Sequence, residues 1–273
     1  MALIRQHNNI GRRIATLSLG ESNLFAEKFM SEQQPRLYTD LAPWFHVLTA
    51  PEEYSETATY AASVIEETAA IPVTTVLELG SGGGNTASHL KARFDMTLTD
   101  LAPAMLELSS TINPECEHLQ GDMRTLTLGR VFDAVFIYDA VMYLTSEDDL
   151  RATIATAYEH CRPGGVVFVV PDHVRETFAP YTNQGGHDAP DRSLRYLEWA
   201  TDPDPEDTTY EVDFVYLLRN DSGLRVEHDR HLYGLFPEAT WLRVLRDVGF
   251  QPTALTDPLG NYPYGNRAFT GLK

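Results

Sequence analysis

Glycine at positions 80, 82 and 84, an acid two residues before the first of them (Glu78) and a second acid at Asp100 form the densest chemical pattern in this chain. Glycines at alternate positions open backbone conformations closed to other residues and let a ligand touch the main chain. The apolar run 76–79 reads as a strand, and Asn85 onward as a helix start whose unpaired N–H groups suit a carboxylate or phosphate. Residues 96–100 read as a second strand, and Asp100 at its end can accept hydrogen bonds from two vicinal ribose hydroxyls. Strand, glycine turn, helix, strand and acid together suit an adenosine-bearing cofactor. A hydride-transfer dinucleotide site wants glycine at the sixth loop position, where this chain has Asn85, so a nicotinamide oxidoreductase is the weaker reading.

Three further segments extend the pattern. Gly121-Asp122-Met123 follows the apolar patch 116–119, residues 132–138 form a buried-strand run from Phe132 to Tyr138, and Arg162-Pro163-Gly164-Gly165 leads into the apolar run 166–170. With Glu78-x-Gly80-x-Gly82-x-Gly84, and in this order, they resemble the class I S-adenosylmethionine-dependent methyltransferases. The resemblance implies S-adenosyl-L-methionine as cofactor, held by Glu78, Gly80, Ser81, Gly82, Gly84, Asp100, Leu101, Asp122, Met123 and Tyr138. It also implies that Asp122 accepts from the adenine amino group while Met123 covers the ring. The segment before the first strand folds over the cofactor in small-molecule members, which makes Tyr38 and Trp44 lid candidates.

The tail narrows the comparison. Residues 211–214, 225–236 and 241–250 are similar to the matching parts of bacterial aminosugar N-methyltransferases, which methylate the amine of a nucleotide-linked deoxysugar. Some of those enzymes carry a histidine just after the fourth strand, whereas residues 139–144 hold Tyr143 and no histidine. The implied reaction is methyl transfer to a small molecule. The donor is already activated, so the protein mainly supplies alignment. A nucleophile that arrives protonated also needs a proton acceptor. The catalytic candidates are His231, then Tyr143 and Asp139. N- and O-methylation both stay open, as does a non-catalytic protein that binds the donor as a ligand.

The elements that must position these residues alternate. Strands at 75–79, 96–100, 116–120, 132–138 and 165–170 are separated by helices at 85–93, 103–110 and from Ser146, which predicts a doubly wound, mostly parallel α/β sheet of seven strands, completed by strands near 250–256 and 265–271. An amphipathic helix over 51–70 precedes them, stopped by Pro72, and a helix from Pro237 to Gly249 precedes the last two strands. Residues 172–208, rich in Asp, Pro and Gly, read as a long exposed loop, followed by an antiparallel hairpin turning at Asn220-Asp221-Ser222-Gly223. The domains expected are a 1–70 extension and helical lid, a cofactor domain from 71–172 with 236–273, and a substrate-recognition insertion at 173–235 overhanging the active site. Arg175, Arg192 and Arg195 could form a local basic pocket there.

Composition bounds the partners. The chain has 39 acids against 21 bases and a formal net charge of −18, which disfavours nucleic acid and anionic membranes as partners. Two cysteines, Cys116 and Cys161, sit in apolar patterns and fit free thiols in a reducing, cytoplasmic compartment. No metal-ligand spacing, membrane-length apolar run or signal-peptide core is present. A small-molecule acceptor is the expected partner, and a homodimer is left open.

Overall fold

The computed structural model describes residues 34–257 and 266–273; expectations for 1–33 lie outside the described residues. In chain order the elements are α1 (Phe45–Leu48), α2 (Ser55–Thr68), β1 (Thr75–Leu79), α3 (Ala87–Leu90), β2 (Asp95–Asp100), α4 (Pro103–Ile112), β3 (Glu117–Gln120), β4 (Phe132–Tyr138), α5 (Glu147–His160), β5 (Cys161–Val170), β6 (Tyr181–Gly185), β7 (Asp188–Ala189), β8 (Arg192–Thr201), β9 (Thr209–Asn220), β10 (Gly223–Gly234), α6 (Glu238–Val248), β11 (Gln251–Asp257) and β12 (Asn266–Leu272). Short 3-10 turns occupy Arg36–Tyr38, Ala42–Trp44, Pro51–Tyr54 and Ala140–Tyr143.

One sheet runs β11-β12-β5-β4-β1-β2-β3, with β1 to β5 parallel and β12 antiparallel to its neighbours on both sides. Its strands are apolar on both faces because helices cover both. Leu77, Leu79, Val135, Ile137, Val167 and Val169 pack with Leu150 and Ile154 of α5 and Trp241 and Leu245 of α6. Their alternates Val76, Ala134, Phe136, Val166 and Phe168 pack with Ala58, Ala61, Ala62 and Ile65 of α2. The α5 start is capped as its sequence implies, Asp149 N donating to Ser146 Oγ at 3.1 Å with three acids in the first turn. The second sheet, β10-β9-β8-β6 with β7 beside β8, is antiparallel.

Three sequence expectations change. The helix predicted over 85–93 is a single helical turn with looser turns beside it, so its dipole contributes little. The helix before β1 ends at Thr68, two residues short of the expected Ala70, and Ala70 N donates instead to the carbonyl of Gly164 in β5. The long loop expected over 172–208 contains β6, β7 and β8; residues 172–180 and the acidic run between β8 and β9 stay outside the sheet. Short polar strands without clean alternation carry little periodic signal, and the pairing with β9 is what makes β8 a strand.

The far end of β1 is held by one carboxylate. Asp133, 3% exposed on β4, accepts from Thr74 N, Thr75 N and Thr75 Oγ1 at 3.0, 2.9 and 3.0 Å and pairs with Arg162. Burial alone would raise its pKa, but these bonds outweigh it and hold the carboxyl below its usual range. Asp133→Ala should lower unfolding free energy by about 3 kcal/mol, since bonds to a charged acceptor are worth roughly 1.5–3 kcal/mol each. A depressed carboxyl stabilises above its unfolded pKa of about 3.9 and stops doing so as pH falls through the lower folded value. Urea melts should therefore show a gap between wild type and variant at pH 7 that narrows below about pH 3; an equal gap at both would assign the loss to packing.

Candidate active site

The carboxyl ends of β1 and β4 place two clusters side by side. In the first, Gly80, Gly82 and Gly84 have φ of +73°, +53° and +78°, a region costly for residues with a Cβ. Most of the loop amides are used internally: Gly80 N and Ser81 N donate to Thr99 O, Gly84 N to Ser81 O, and Gly82 N to Asp100 Oδ2 at 2.8 Å. The unpartnered polar atoms are on side chains: Glu78 Oε2 and Ser81 Oγ are buried without a hydrogen-bond partner. Burial, with the nearby Asp100 charge, pushes the Glu78 carboxyl up to about 8.

Asp100 also accepts from Ala102 N at 2.8 Å, so each carboxylate oxygen has one backbone donor and a further lone pair. Burial raises its pKa and the backbone bonds oppose that. Leu101 lies beside it, its carbonyl accepting from Gln120. Asp122 is engaged by Arg124, through Nε and Nη2, and by the Arg124 amide. An adenine amino group would share that carboxylate with a guanidinium, which its sequence did not suggest. Met123 reaches toward Gly80, its Cε 3.2 Å from where a Cβ would stand. Tyr138 stacks on Phe136 with centroids 6.0 Å apart and meets Tyr54 edge-on.

The segment before α2 is stitched to the glycine loop. Asn85 Nδ2 donates to Thr49 O and Oγ1 at 2.9 and 3.0 Å, His46 Nε2 lies 3.0 Å from Gly83 O, and the Phe45 ring covers Gly82 and Gly83. Trp44 belongs elsewhere, buried against Leu41, Leu194, Tyr216 and Leu218.

The second cluster joins three elements. His231 of β10 is 1% exposed. Its Nδ1 lies 2.8 Å from the Tyr143 hydroxyl and 2.9 Å from that of Tyr233. Its Nε2 lies 3.1 Å from Asp229 Oδ2. The Tyr143 and Tyr38 hydroxyls are 2.9 Å apart. Tyr38, Tyr143 and Tyr233 are partly buried as residues, whereas His231 is buried throughout. Burial raises all three phenols, and none is an anion at neutral pH. The two clusters touch: Ala140, in the same turn as Tyr143, abuts Gly80, and Phe45 packs on both Gly82 and Tyr38.

Asp139 precedes that turn with φ +56°, the non-glycine residue with positive φ among the described residues. It hydrogen-bonds Asp172, whose carboxyl burial pushes up to about 6. The expected basic pocket does not form. Arg175 bonds the carbonyls of Pro205, Asp207 and Leu235, Arg192 pairs with Asp191, and Arg195 pairs with Asp188. These guanidinium groups brace loops of the insertion, a use that charge alone cannot reveal. Asp229, Tyr233 and Asp172 were missed from sequence. The alternation of 227, 229, 231 and 233 along one strand face was the signal available for two of them.

A methyltransferase domain family matches residues 76–165, which carry β1 through the start of β5. The dTDP-3-amino-3,4,6-trideoxy-alpha-D-glucopyranose N,N-dimethyltransferase of Streptomyces venezuelae is 30% identical over 201 residues, 72% of this chain and 82% of the relative. The chain belongs to the S-adenosylmethionine-dependent methyltransferases. The crystal structure of Streptomyces venezuelae DesVI superposes with a TM-score of 0.75 at 26% identity, covering 86% of this chain and 98% of the other. SAM-bound CalS10, an amino pentose methyltransferase from Micromonospora echinaspora, gives 0.70 at 21% identity over 98% and 99%, a likeness of fold.

The residues of this methyltransferase fit the donor. Glu78 offers an unsatisfied acceptor to a cationic amino group, Ser81 an unsatisfied hydroxyl, Asp100 two lone pairs, and the positive-φ glycines an approach to bare backbone. No helix among the described residues is long and apolar enough to cross a membrane.

Proposed function

We propose that this methyltransferase acts on the amine of an amino sugar, with His231 as the proton acceptor reached through Tyr143. The observation that carries the reading is the buried imidazole with Nδ1 on two tyrosine hydroxyls, one turn away from the glycine loop. S-adenosylmethionine supplies an activated methyl group when bound. The chain's residues supply alignment and a place for the proton. An ammonium has no lone pair and cannot attack until an N–H bond breaks. The Tyr143 hydroxyl, which donates to Tyr38, can turn its proton onto His231 Nδ1 while its oxygen takes the proton of the amine, so no phenolate forms, as the raised tyrosine pKa requires. The acceptor's nitrogen keeps the electron pair. Asp139 and Asp172 add negative charge that favours a cationic acceptor over a carboxylate.

The relatives support the same substrate class, since the Streptomyces venezuelae relative is named for N,N-dimethylation of a dTDP-linked amino sugar. In this reading residues 71–172 and 236–273 carry the donor, 173–235 recognise the acceptor, and the described part of 1–70 covers the site. The free thiols Cys116 and Cys161 are consistent with a reducing, cytoplasmic compartment in this reading. The test is incubation of the protein with donor and separate panels of nucleotide-linked amino sugars, free amino sugars, phenols and carboxylic acids, with methylated products read by mass spectrometry. Methylation confined to oxygen acceptors would overturn the amine assignment. Tight donor binding with no turnover on any panel would favour a ligand-binding protein.

Donor binding should also release a proton. The Glu78 carboxyl, near 8 in the protein alone, is largely neutral at pH 6.5, and a cationic partner would ionise it. Calorimetry at pH 6.5 in buffers of different ionisation enthalpy should report about one proton released by wild type and none by Glu78→Gln. Buffer-independent heats for wild type would remove Glu78 from donor recognition.

A further inference from the structure

Three consecutive residues at the edge of the lid meet three alternate residues of β10. The Arg36 guanidinium donates to Glu227 Oε2 at 2.8 Å. Leu37 N donates to Asp229 Oδ2 at 2.9 Å. The Tyr38 ring stands 6.1 Å from that of His231, and its hydroxyl meets Tyr143. Glu227, Asp229 and His231 lie on one face of β10 because successive side chains of a strand alternate.

Asp229 is the centre of this arrangement. It is 4% exposed, and the same oxygen receives the lid amide and faces His231 Nε2 at 3.1 Å. Burial would raise its pKa, but the His231 and Leu37 bonds outweigh it, so the carboxyl stays ionised. An ionised carboxylate only accepts, so the imidazole must carry its proton on Nε2. In the neutral imidazole Nδ1 is then bare, 2.8 and 2.9 Å from the Tyr143 and Tyr233 hydroxyls. Without Asp229 the imidazole would be free to take the other tautomer, with Nδ1 protonated and useless as an acceptor.

We propose that Asp229 is a positioning residue that holds His231 with Nδ1 open toward Tyr143, and that docking of Leu37 on the same carboxylate ties this state to the closed lid. The proposal rests on His231 being the proton acceptor. Asp229 itself touches neither acceptor nor donor. It sets the tautomer, and it offsets the positive charge when the imidazole takes up a proton. The groups that face the pair are Tyr38 from the lid, Tyr143 from the turn after β4, Tyr216 from β9 and Tyr233 from β10. All are phenols that stay neutral, so Asp229 is the charged group in contact with the imidazole.

The test is Asp229→Asn, whose amide NH2, placed where the carboxylate oxygen now meets both groups, donates to Nε2, drives the imidazole proton onto Nδ1 and gives up the Leu37 N bond. Nitrogen-15 NMR of histidine-labelled protein, with no acceptor present, should show His231 protonated on Nε2 in wild type and on Nδ1 in the variant. With an amine acceptor, kcat at pH 7 should fall by about tenfold or more, while the donor KM stays within about twofold. The deficit should close near pH 9, where the amine arrives with its lone pair free. Glu227→Gln is the companion variant, since it loosens the Arg36 clasp without touching the imidazole; any loss there should be the same at every pH, with the tautomer unchanged. An unchanged tautomer in Asp229→Asn, or a deficit constant with pH and matched by Glu227→Gln, would overturn the proposal and leave Asp229 as a lid anchor. The NMR arm stands even if wild type methylates no amine, so the two readings fail separately.

Discussion

Gly80→Ala should abolish detectable donor binding and lower the melting temperature of the protein. At φ +73° a Cβ costs about 1–2 kcal/mol in backbone strain alone. It would also collide with the Cβ of Ala140 and crowd Met123, and overpacking of this kind costs roughly 1–3 kcal/mol. The collision is directional. It pushes the glycine loop away from the turn that carries Tyr143, and so separates the donor side of the site from the proton-accepting side. Gly129→Ala is the control, because Gly129 has φ +66° and open space where the Cβ would go. That variant should show the strain without the collision, with donor affinity intact. Calorimetric titration with S-adenosylmethionine and thermal melts on both variants give the comparison. Comparable donor affinity in Gly80→Ala and wild type would mean that the loop does not border the donor.

His231→Gln should slow methylation of an amine by about 10²–10⁴-fold at neutral pH, the usual worth of a positioned general base. Glutamine keeps a donor for Asp229 and an acceptor for Tyr143 but cannot take up a proton. Donor affinity should be unchanged, since His231 reaches the glycine loop only through Tyr143 and Tyr38. If the acceptor takes two methyl groups, the first product is again an ammonium and must lose a proton before the second transfer. The variant should then accumulate monomethyl product. Single-turnover rates measured from pH 6.5 to 9.5 decide the matter. The loss should shrink as the amine deprotonates in solution, and full activity at pH 7 would take His231 out of the reaction.

The acidic balance of the chain and the fate of its arginines bear on the acceptor. Arg175, Arg192 and Arg195 all find partners within the insertion, two with carboxylates next to them in sequence or across a hairpin. A diphosphate-bearing acceptor that used any of these three would have to draw it from its partner, whereas an amino sugar without the nucleotide would not. The substrate panel separates these two cases directly.

The proposed donor half of the candidate site rests on features legible in the chain itself. Backbone freedom at 80, 82 and 84, the strand pattern on either side and the acid at 100 are local properties, and local properties are written at consecutive positions. Even there the structure redistributed the work. The helix expected to present free amides is one turn long, most loop amides bond internally, and the unsatisfied groups are the side chains of Glu78 and Ser81. The proposed proton-accepting half was a matter of tertiary structure. His231, Tyr143 and Tyr38 are far apart in sequence, and a histidine in a polar-looking strand has the same letter pattern whether it faces water or a core. Which face of β10 turned inward depended on β8 and β9 pairing beside it and on the lid docking across Glu227, Asp229 and His231. A one-residue shift in that register would have put every one of those side chains in solvent, because the strand repeat is two and the sequence alone does not say where it starts.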